Sequence, residues 1–467
     1  MTSPLRLAGL ALPFALAGCM TLPAATPPDV AAPKGWRTEA VTARSLADLP
    51  PGELFRSAEL DALVREALAA NSDLVVAAQR IDLARAQLGI QRSFLYPQLG
   101  GGINYTRQRV PVAGFDENLV VESSVLALSL ATWEIDVWGR VRAAAESSRR
   151  QVLASEELRV AAETSIVAQV ATFYLALLEL DAQRDIAQRT LGTRRESLRL
   201  VTLRFNGGVA SKLEVQDATT LVAGAQQSLA EIERSRSRTE NALSLLLGRS
   251  PGPIARARTL EEFSTPPVLP AGLPSELMLR RADLRAAEQS LYAAQASVEA
   301  ARKAFYPTIT LTGLLGLASP ALRDLFDSGR YAWQVGPAIG IPIFTAGRLQ
   351  ANVEANEAQQ AIALEQYKAA VRGAFREVDD ALADYRRFSE VREALTVAVE
   401  ANRERLRLSD LRYKGGVASY FEVLDASRQL FDAELQLVRA LRTQYTSVID
   451  LYRALGGGAE PPVALAR

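Results

Sequence analysis

Between residues 141 and 205 no proline interrupts the chain, and residues of one kind return every seventh position. Leu153, Val160, Val167 and Tyr174 form one series, and Glu163, Val170 and Leu177 run beside it. Sustained seven-residue spacing predicts a long helix packed along other helices. At 1.5 Å per residue, about 65 residues span roughly 100 Å, longer than any compact core. Residues 349–413 predict a second helix of this kind. Shorter helices are predicted over 57–92, 211–247, 275–303 and 419–455. In the first, Leu60, Leu63, Val64, Ala67 and Leu68 fall on one face; in the last, Val423, Leu430 and Leu437 share a stripe. Four segments read as strands instead: 96–109, 121–137, 308–317 and 331–344. Within 121–137 the period is two. Val125, Ala127, Ser129, Ala131 and Trp133 face one way, and Leu126, Leu128, Leu130, Thr132 and Glu134 the other. That alternation does not separate apolar from polar residues cleanly.

The elements occur twice in the same order. RFNGGVASKLEVQDA at 204–218 returns as RYKGGVASYFEVLDA at 412–426, 208 residues later. Each copy joins a long helix to a returning one. Its glycine pair, Gly207-Gly208 or Gly415-Gly416, supplies the positive φ that helix ends require. Ser211 with Glu214, and Ser419 with Glu422, have the spacing of a capping box. Self-similarity of this kind marks an internal duplication. The chain therefore divides into a first repeat at 57–250 with its tip at 204–211, a connector at 251–274 rich in proline and glycine, a second repeat at 275–456 with its tip at 412–419, and a tail at 457–467.

Composition removes most chemistry. Among 467 residues, 53 Lys and Arg balance 53 Asp and Glu, which disfavours bulk binding to nucleic acid. There is no histidine and one cysteine, Cys19. Ser-His-Asp catalysis, histidine metal sites and intrachain disulfides are excluded. No nucleotide-binding, zinc-protease or serine-hydrolase motif is present, so no catalytic residue, cofactor or metal is expected. Residues 1–18 read as a signal peptide, with Arg6 before the apolar run 7–17. Leu16-Ala17-Gly18-Cys19 resembles a bacterial lipobox. The resemblance implies an N-acyl, S-diacylglycerol Cys19, and Met20 in place of aspartate points to the outer membrane. Residues 19–56 read as an extended tether. Beyond the signal no helix is expected to cross a membrane.

Four strands do not close a barrel. In lipid an open sheet leaves two edges of unsatisfied backbone groups, and the smallest bacterial barrels have about eight strands. Several copies must pool their strands if these segments enter a membrane.

The two tips, the strand starts at Tyr96-Pro97 and Tyr306-Pro307, and WEIDVWGRVR at 133–142 resemble the TolC/OprM family of outer-membrane efflux channels, lipidated members included. Arg280-Arg281-Ala282-Asp283-Leu284 resembles a family motif in which proline is usual where Ala282 stands. The resemblance covers essentially the whole mature chain. It implies an α+β membrane protein: a homotrimer whose 12-stranded β-barrel in the outer membrane continues into a periplasmic α-helical barrel. It also implies a periplasmic membrane-fusion adaptor at the tips and an inner-membrane pump, with resistance-nodulation-division pumps favoured. The channel would export drugs, toxic compounds or metals passively and hydrolyse nothing. A duct for type I protein secretion is an alternative, as is a coiled-coil lipoprotein scaffold with no pore.

Candidate residues follow from the same reading. Glu422 and Asp425 lie three apart after the second tip, on one helix face. In related channels acidic residues at such positions ring the constriction, where they would favour cations. Glu214 and Asp217 are their counterparts on the first hairpin. All four also fit helix capping and dipole roles. Gly207, Gly208, Val209, Gly415, Gly416 and Val417 are the candidate adaptor seat. Arg204 and Arg412 are expected to cap the last carbonyls of their helices, in preference to pairing with tip carboxylates of a neighbouring chain. Trp133, Trp333 and Tyr105 are candidates for an aromatic girdle in contact with outer-membrane lipids, and Trp138 and Tyr331 also border the strands.

Overall fold

The computed structural model describes residues 33, 35–37, 45–48, 57–111, 118–256, 259–263, 272 and 274–457. Cys19, the signal segment 1–18, most of the tether, much of the connector and the tail from 458 onward lie outside the described residues. Eight α-helices and four strands are described: α1 (Ala58–Ala70), α2 (Ser72–Ser93), β1 (Leu99–Pro111), β2 (Asn118–Glu134), α3 (Arg140–Asn206), α4 (Lys212–Leu246), α5 (Pro274–Arg280), α6 (Ala282–Lys303), β3 (Thr308–Ser319), β4 (Tyr331–Gly340), α7 (Arg348–Lys414) and α8 (Tyr420–Ala454). The duplication is explicit in the lengths: α3 and α7 have 67 residues each, and α4 and α8 have 35 each. The chain forms two compact units, each built from both repeats. The first draws on Arg80–Glu156 and Ala286–Tyr367, the second on Val30–Gln79, Glu157–Arg285 and Lys368–Arg467.

In the first unit the strands form one antiparallel sheet in the order β1-β2-β3-β4. Directly opposed residues share a face, so the register sorts the side chains. One face collects Leu99, Ile103, Leu126, Leu128, Leu130, Leu315, Leu317, Tyr331, Trp333 and Ile339. The other is mostly small or polar: Gly100, Gly102, Asn104, Ala127, Ser129, Thr310, Thr312 and Gln334, with Val110, Val121, Val125 and Leu314 as exceptions. Thr308, Thr310 and Thr312 spend their hydroxyls on the carbonyls of Gly340, Ala338 and Gly336, at 3.3, 3.5 and 3.1 Å. An alternation that is ambiguous along one strand becomes clear across four.

The phase expected for Trp133 is wrong. A bulge between Leu130 and Trp133 shifts the register, so Trp133 opposes Leu311 and joins the leucine face instead of following Ala131. Strand limits also move: β1, β2 and β3 run two or three residues further toward their loops, to Pro111, from Asn118 and to Ser319, and three limits draw in. β1 begins at Leu99 because the chain turns through Tyr96 first, with Leu95 N–H on Arg92 O and Tyr96 N–H on Ser93 O. β2 ends at Glu134 because Asp136 turns to cap α3, accepting from the N–H groups of Val141 and Arg142 at 3.0 and 2.9 Å. β4 stops at Gly340, before Pro342, whose ring nitrogen has no proton for the ladder. The strand-to-helix passage is held on both sides. Arg140 grips Glu134 with two hydrogen bonds of 3.0 and 2.6 Å. The Trp138 ring stacks on Tyr306 at 5.5 Å and its N–H donates to Pro307 O.

The second unit holds the main apolar core. Leu60, Val170, Tyr174, Leu177, Leu243, Phe263 and Tyr445 are buried together. Phe263 lies 6.2 Å from the Tyr174 ring and 6.1 Å from Tyr445. By composition α3 is long and apolar enough to cross a membrane, contrary to expectation, with an 18-residue window at mean hydropathy 1.4. Its apolar residues have a core to serve, and 44% of that window is buried. Along α8 the fully buried heptad stripe is Leu424, Phe431, Val438, Tyr445 and Tyr452. It lies one position on from the expected stripe, on which Leu430 and Leu437 are only half-buried.

Two helices expected to be continuous are broken by polar residues. Asn71 ends α1 and caps α2, its side-chain oxygen accepting from Asp73 and Leu74 N–H, while its amide donates to Leu246 O at 2.8 Å. Arg281 separates α5 from α6. It binds Asp283 at 2.6 Å, Glu377 at 2.8 Å and Ala454 O at 3.1 Å. Within the described part of the tether, the Trp36 N–H donates to Gly272 O at 3.0 Å and the ring is buried against Phe375.

Candidate functional site

Both tips close in the same way. Val209 N–H bonds Arg204 O and Gly208 N–H bonds Phe205 O; Val417 and Gly416 repeat this on Arg412 O and Tyr413 O, all at 2.9–3.0 Å. This is the Schellman arrangement. Only the second glycine of each pair needs the left-handed region, Gly208 at φ 78° and Gly416 at φ 75°. The turn turns Val209 and Val417 outward, 67% and 69% exposed. Each tip therefore presents an apolar side chain beside bare backbone.

The starts of the returning helices differ, and half of the capping expectation fails. Ser211 and Glu214 form the capping box, with Glu214 N–H on Ser211 Oγ and Ser211 N–H on Glu214 Oε1. Ser419 makes no side-chain cap. Glu422 turns instead toward Arg412, 3.7 Å away, leaving Ser419 without the reciprocal carboxylate. Neither arginine caps its own helix end. The guanidinium of Arg204 lies 4.7 Å over the Tyr413 ring, a cation–π geometry.

Tyr413 is the residue that sequence reasoning missed. Its hydroxyl donates to Glu214 Oε2 at 3.0 Å, and its ring packs 5.1 Å from Tyr420. The two tip regions of one chain are thereby joined by Arg204, Tyr413, Glu214 and Tyr420, over a cluster of Val201, Ala218, Val423 and Leu424. Burial pushes the Tyr413 phenol up, and hydrogen bonding to Glu214 adds to it, to about 12. For Glu214, burial acts upward, but bonds from Ser211 and Tyr413 outweigh it and hold the carboxyl below its usual range. A signal was available: Tyr413 stands where the first repeat has Phe205, so the copies differ there by one hydroxyl.

Asp425 is largely covered and bound by Arg405 of α7 at 2.7 Å, by Arg428 at 3.0 Å and by Gln429 at 2.9 Å. The hydrogen bond from Arg405 holds its carboxyl below the ordinary carboxylate range. Arg405 and Asp425 sit symmetrically about the tip, ten residues before and after Gly415, as antiparallel helices require. Asp217 is half-buried on α4. The structure thus brings Glu214 together with the second tip and Asp425 together with α7, and sets Asp217 near enough to Tyr420 for its charge to help push that phenol up.

In the sheet, Trp133, Trp333 and Tyr105 share the leucine face. Trp133 opposes Leu311 toward one end, while Tyr105 opposes Ser124, and through it Ser319, toward the other. Along β3 those rows are eight residues apart, about 27 Å at 3.4 Å per residue. Trp138 belongs to the turn into α3 and not to this face. Among the described residues no group of three or more acidic or cysteine side chains is arranged to hold a metal.

These features have known counterparts. The family model described as outer membrane efflux protein matches residues 63–249 and 273–457. The chain is 36% identical over 454 residues to the toluene efflux pump outer membrane protein TtgC of Pseudomonas putida, covering 95% of this chain and 94% of that one. The antibiotic efflux pump outer membrane protein ArpC of the same species matches at the same identity and coverage. Among solved structures, the open state of the Neisseria gonorrhoeae MtrE outer membrane channel superposes with a TM-score of 0.85 at 34% identity, covering 94% of this chain and 98% of that one.

Proposed function

The chain belongs to the outer membrane efflux protein family and is the outer-membrane channel of an efflux pump, not an enzyme, and from that premise we propose its assembly, partners and cargo. Three copies pool their sheets into one 12-stranded barrel whose leucine face meets lipid and whose small, polar face lines the bore. The observation that carries this reading is the register. It gathers most of the large apolar residues of the four strands on one side while β1 and β4 each keep an unpaired edge. A sheet with that face in lipid must pair both edges, and a neighbouring copy offers the complementary strand. Trp133 and Tyr105 then anchor the barrel at the two headgroup levels, whereas Trp333, expected in the same girdle, opposes Leu315 midway between their rows and faces the hydrocarbon. The long helices continue the bore into the periplasm, and the exposed Val209 and Val417 with their glycines seat a periplasmic adaptor linked to an inner-membrane pump of the resistance-nodulation-division type. Cys19 carries the lipid anchor. The cargo is apolar organic compounds, the class to which toluene and many antibiotics belong.

Purified full-length protein is expected to run as a heat-dissociated trimer and to give discrete single-channel conductance in planar bilayers, with a lipid-modified Cys19 as its first residue by mass spectrometry. Water-soluble monomers without conductance would refute the assembly. Deletion of the gene is expected to sensitise the cell to organic solvents and lipophilic antibiotics, and unchanged sensitivity would refute the cargo.

Asp425 supplies a sharper test of the bore. Its lowered pKa means that the charge, and the stability of the Arg405–Asp425 pair, are fully present above the unfolded carboxyl value near 3.8 and are lost only as pH falls through the lower folded value. Without histidine, cation preference is expected to stay flat from about pH 5 to pH 8. Asp425→Asn is expected to reduce that preference and raise the resting conductance; a variant with wild-type reversal potential and conductance would place Asp425 off the bore.

A further inference from the structure

Near the tips, α3, α4, α7 and α8 enclose a groove of about 540 Å³. Its apolar wall is Leu200, Leu221, Leu406, Val423 and Leu424. Most charged groups on its rim are already matched. Arg403 pairs with Glu434 at 3.0 Å, Arg407 with Glu404 at 2.6 Å, Lys414 with Asp410 at 2.6 Å and Glu196 with Arg199 at 2.6 Å. When these pairs cancel, one cation is left. Arg194 lines the groove, is 6% exposed, and has no carboxylate within ion-pair distance among the described residues. One terminal nitrogen donates to Leu221 O at 3.1 Å and the guanidinium lies 5.1 Å over the Phe431 ring, but the buried Nε has no acceptor. A buried guanidinium with an unused donor is costly unless an anion meets it.

We propose that this groove is a binding site for a small amphiphilic monoanion, an aromatic or aliphatic carboxylate or sulfonate, whose charge meets Arg194 and whose apolar body fills the space against Leu406 and Leu424. The volume lies in the range of small-ligand sites. Burial also pushes the Arg194 guanidinium below its usual range, with Asp432 acting the other way, so that an added anion relieves the cost of charge there. Because the walls come from all four helices, an occupant braces the two hairpins of one chain against each other. The test reads binding directly and requires neither conductance nor an adaptor, so its outcome is distinguishable from that of the channel reading.

The probe is 2-naphthoate, titrated by calorimetry and saturation-transfer NMR into the full-length protein in amphipol, with uncharged 2-naphthol as the matched control. Saturable binding of one 2-naphthoate per chain is expected, with 2-naphthol at least about tenfold weaker, as loss of one charge-assisted hydrogen bond implies. Arg194→Gln is expected to weaken 2-naphthoate at least about tenfold while leaving 2-naphthol unchanged. Leu406→Trp, which fills the groove and keeps Arg194, is expected to abolish both. Equal affinity for the two probes, unsaturable partitioning, or wild-type affinity in Arg194→Gln would each overturn the site. The comparison of the two probes on unmutated protein stands even if a variant fails to fold.

Discussion

Gly316→Ala is expected to destroy the sheet. A Cβ at this position of β3 would lie 2.1 Å from Leu126 O, 2.5 Å from Ala127 Cα and 2.7 Å from Ala127 Cβ. Two of those atoms belong to the backbone of β2, so no rotamer change relieves the contact. Gly316 opposes Ala127, in the middle of the ladder that joins the two repeats. Overpacking a core commonly costs about 1–3 kcal/mol even where side chains can move. With backbone on the far side the cost is expected at the top of that range or above it, and β2–β3 pairing should fail. The readout is loss of heat-modifiable trimer and of outer-membrane residence. Gly100→Ala is the control, since its Cβ would meet only Ser129 Oγ at an ordinary 3.6 Å. If Gly316→Ala assembles as wild type, the close approach of β2 and β3 is wrong.

Tyr413→Ala is expected to have the largest effect on the resting state of the channel. It removes the bond to Glu214, the platform under Arg204 and the contact with Tyr420 together. Arg204 Nε is buried with no acceptor, so losing the ring leaves a charge with fewer favourable neighbours. Tyr413→Phe removes only the hydroxyl, a net loss of about 1 kcal/mol. Resting conductance in planar bilayers should therefore rise markedly in the alanine variant and slightly in the phenylalanine variant. Equal conductance in all three proteins would show that this contact does not hold the tips. The pH dependence separates the two partners. Glu214 has a lowered folded value, so its contribution is present at neutral pH and is lost in acid as pH falls through that value. Tyr413 has a raised one, so its contribution is complete below about pH 10 and is lost as pH rises through about 12. The alkaline loss of stability should shrink in Tyr413→Phe, the remainder being carried by other buried phenols such as Tyr420 and Tyr452, and the acid loss should shrink without vanishing, because Ser211 still holds Glu214.

Periodicity and duplication are properties of the chain itself. Backbone geometry links side-chain spacing to helix or strand, so the paired 67-residue helices, the four strands and the two glycine tips were legible from residues alone. The family was legible for the same reason, since its signature is an order of elements and motifs. Breaks in the short helices were not: Asn71 and Arg281 interrupt α1–α2 and α5–α6 because each binds carbonyls from distant segments, and helix periodicity carries no record of them.

What only the tertiary structure decided is partnership. A one-residue bulge moved Trp133 to the other side of the sheet, since strand faces alternate at every residue. The same S-x-x-E pattern became a capping box at Ser211 and an Arg412 ion pair at Glu422, because an exposed carboxylate takes the donor that packing brings closest. Arg204, read as a cap, found the Tyr413 ring, and Arg194 was left buried without an anion. Local sequence sets what a segment becomes at little cost in energy, whereas the pairing of charges and hydroxyls depends on ångström-scale distances between residues up to hundreds of positions apart.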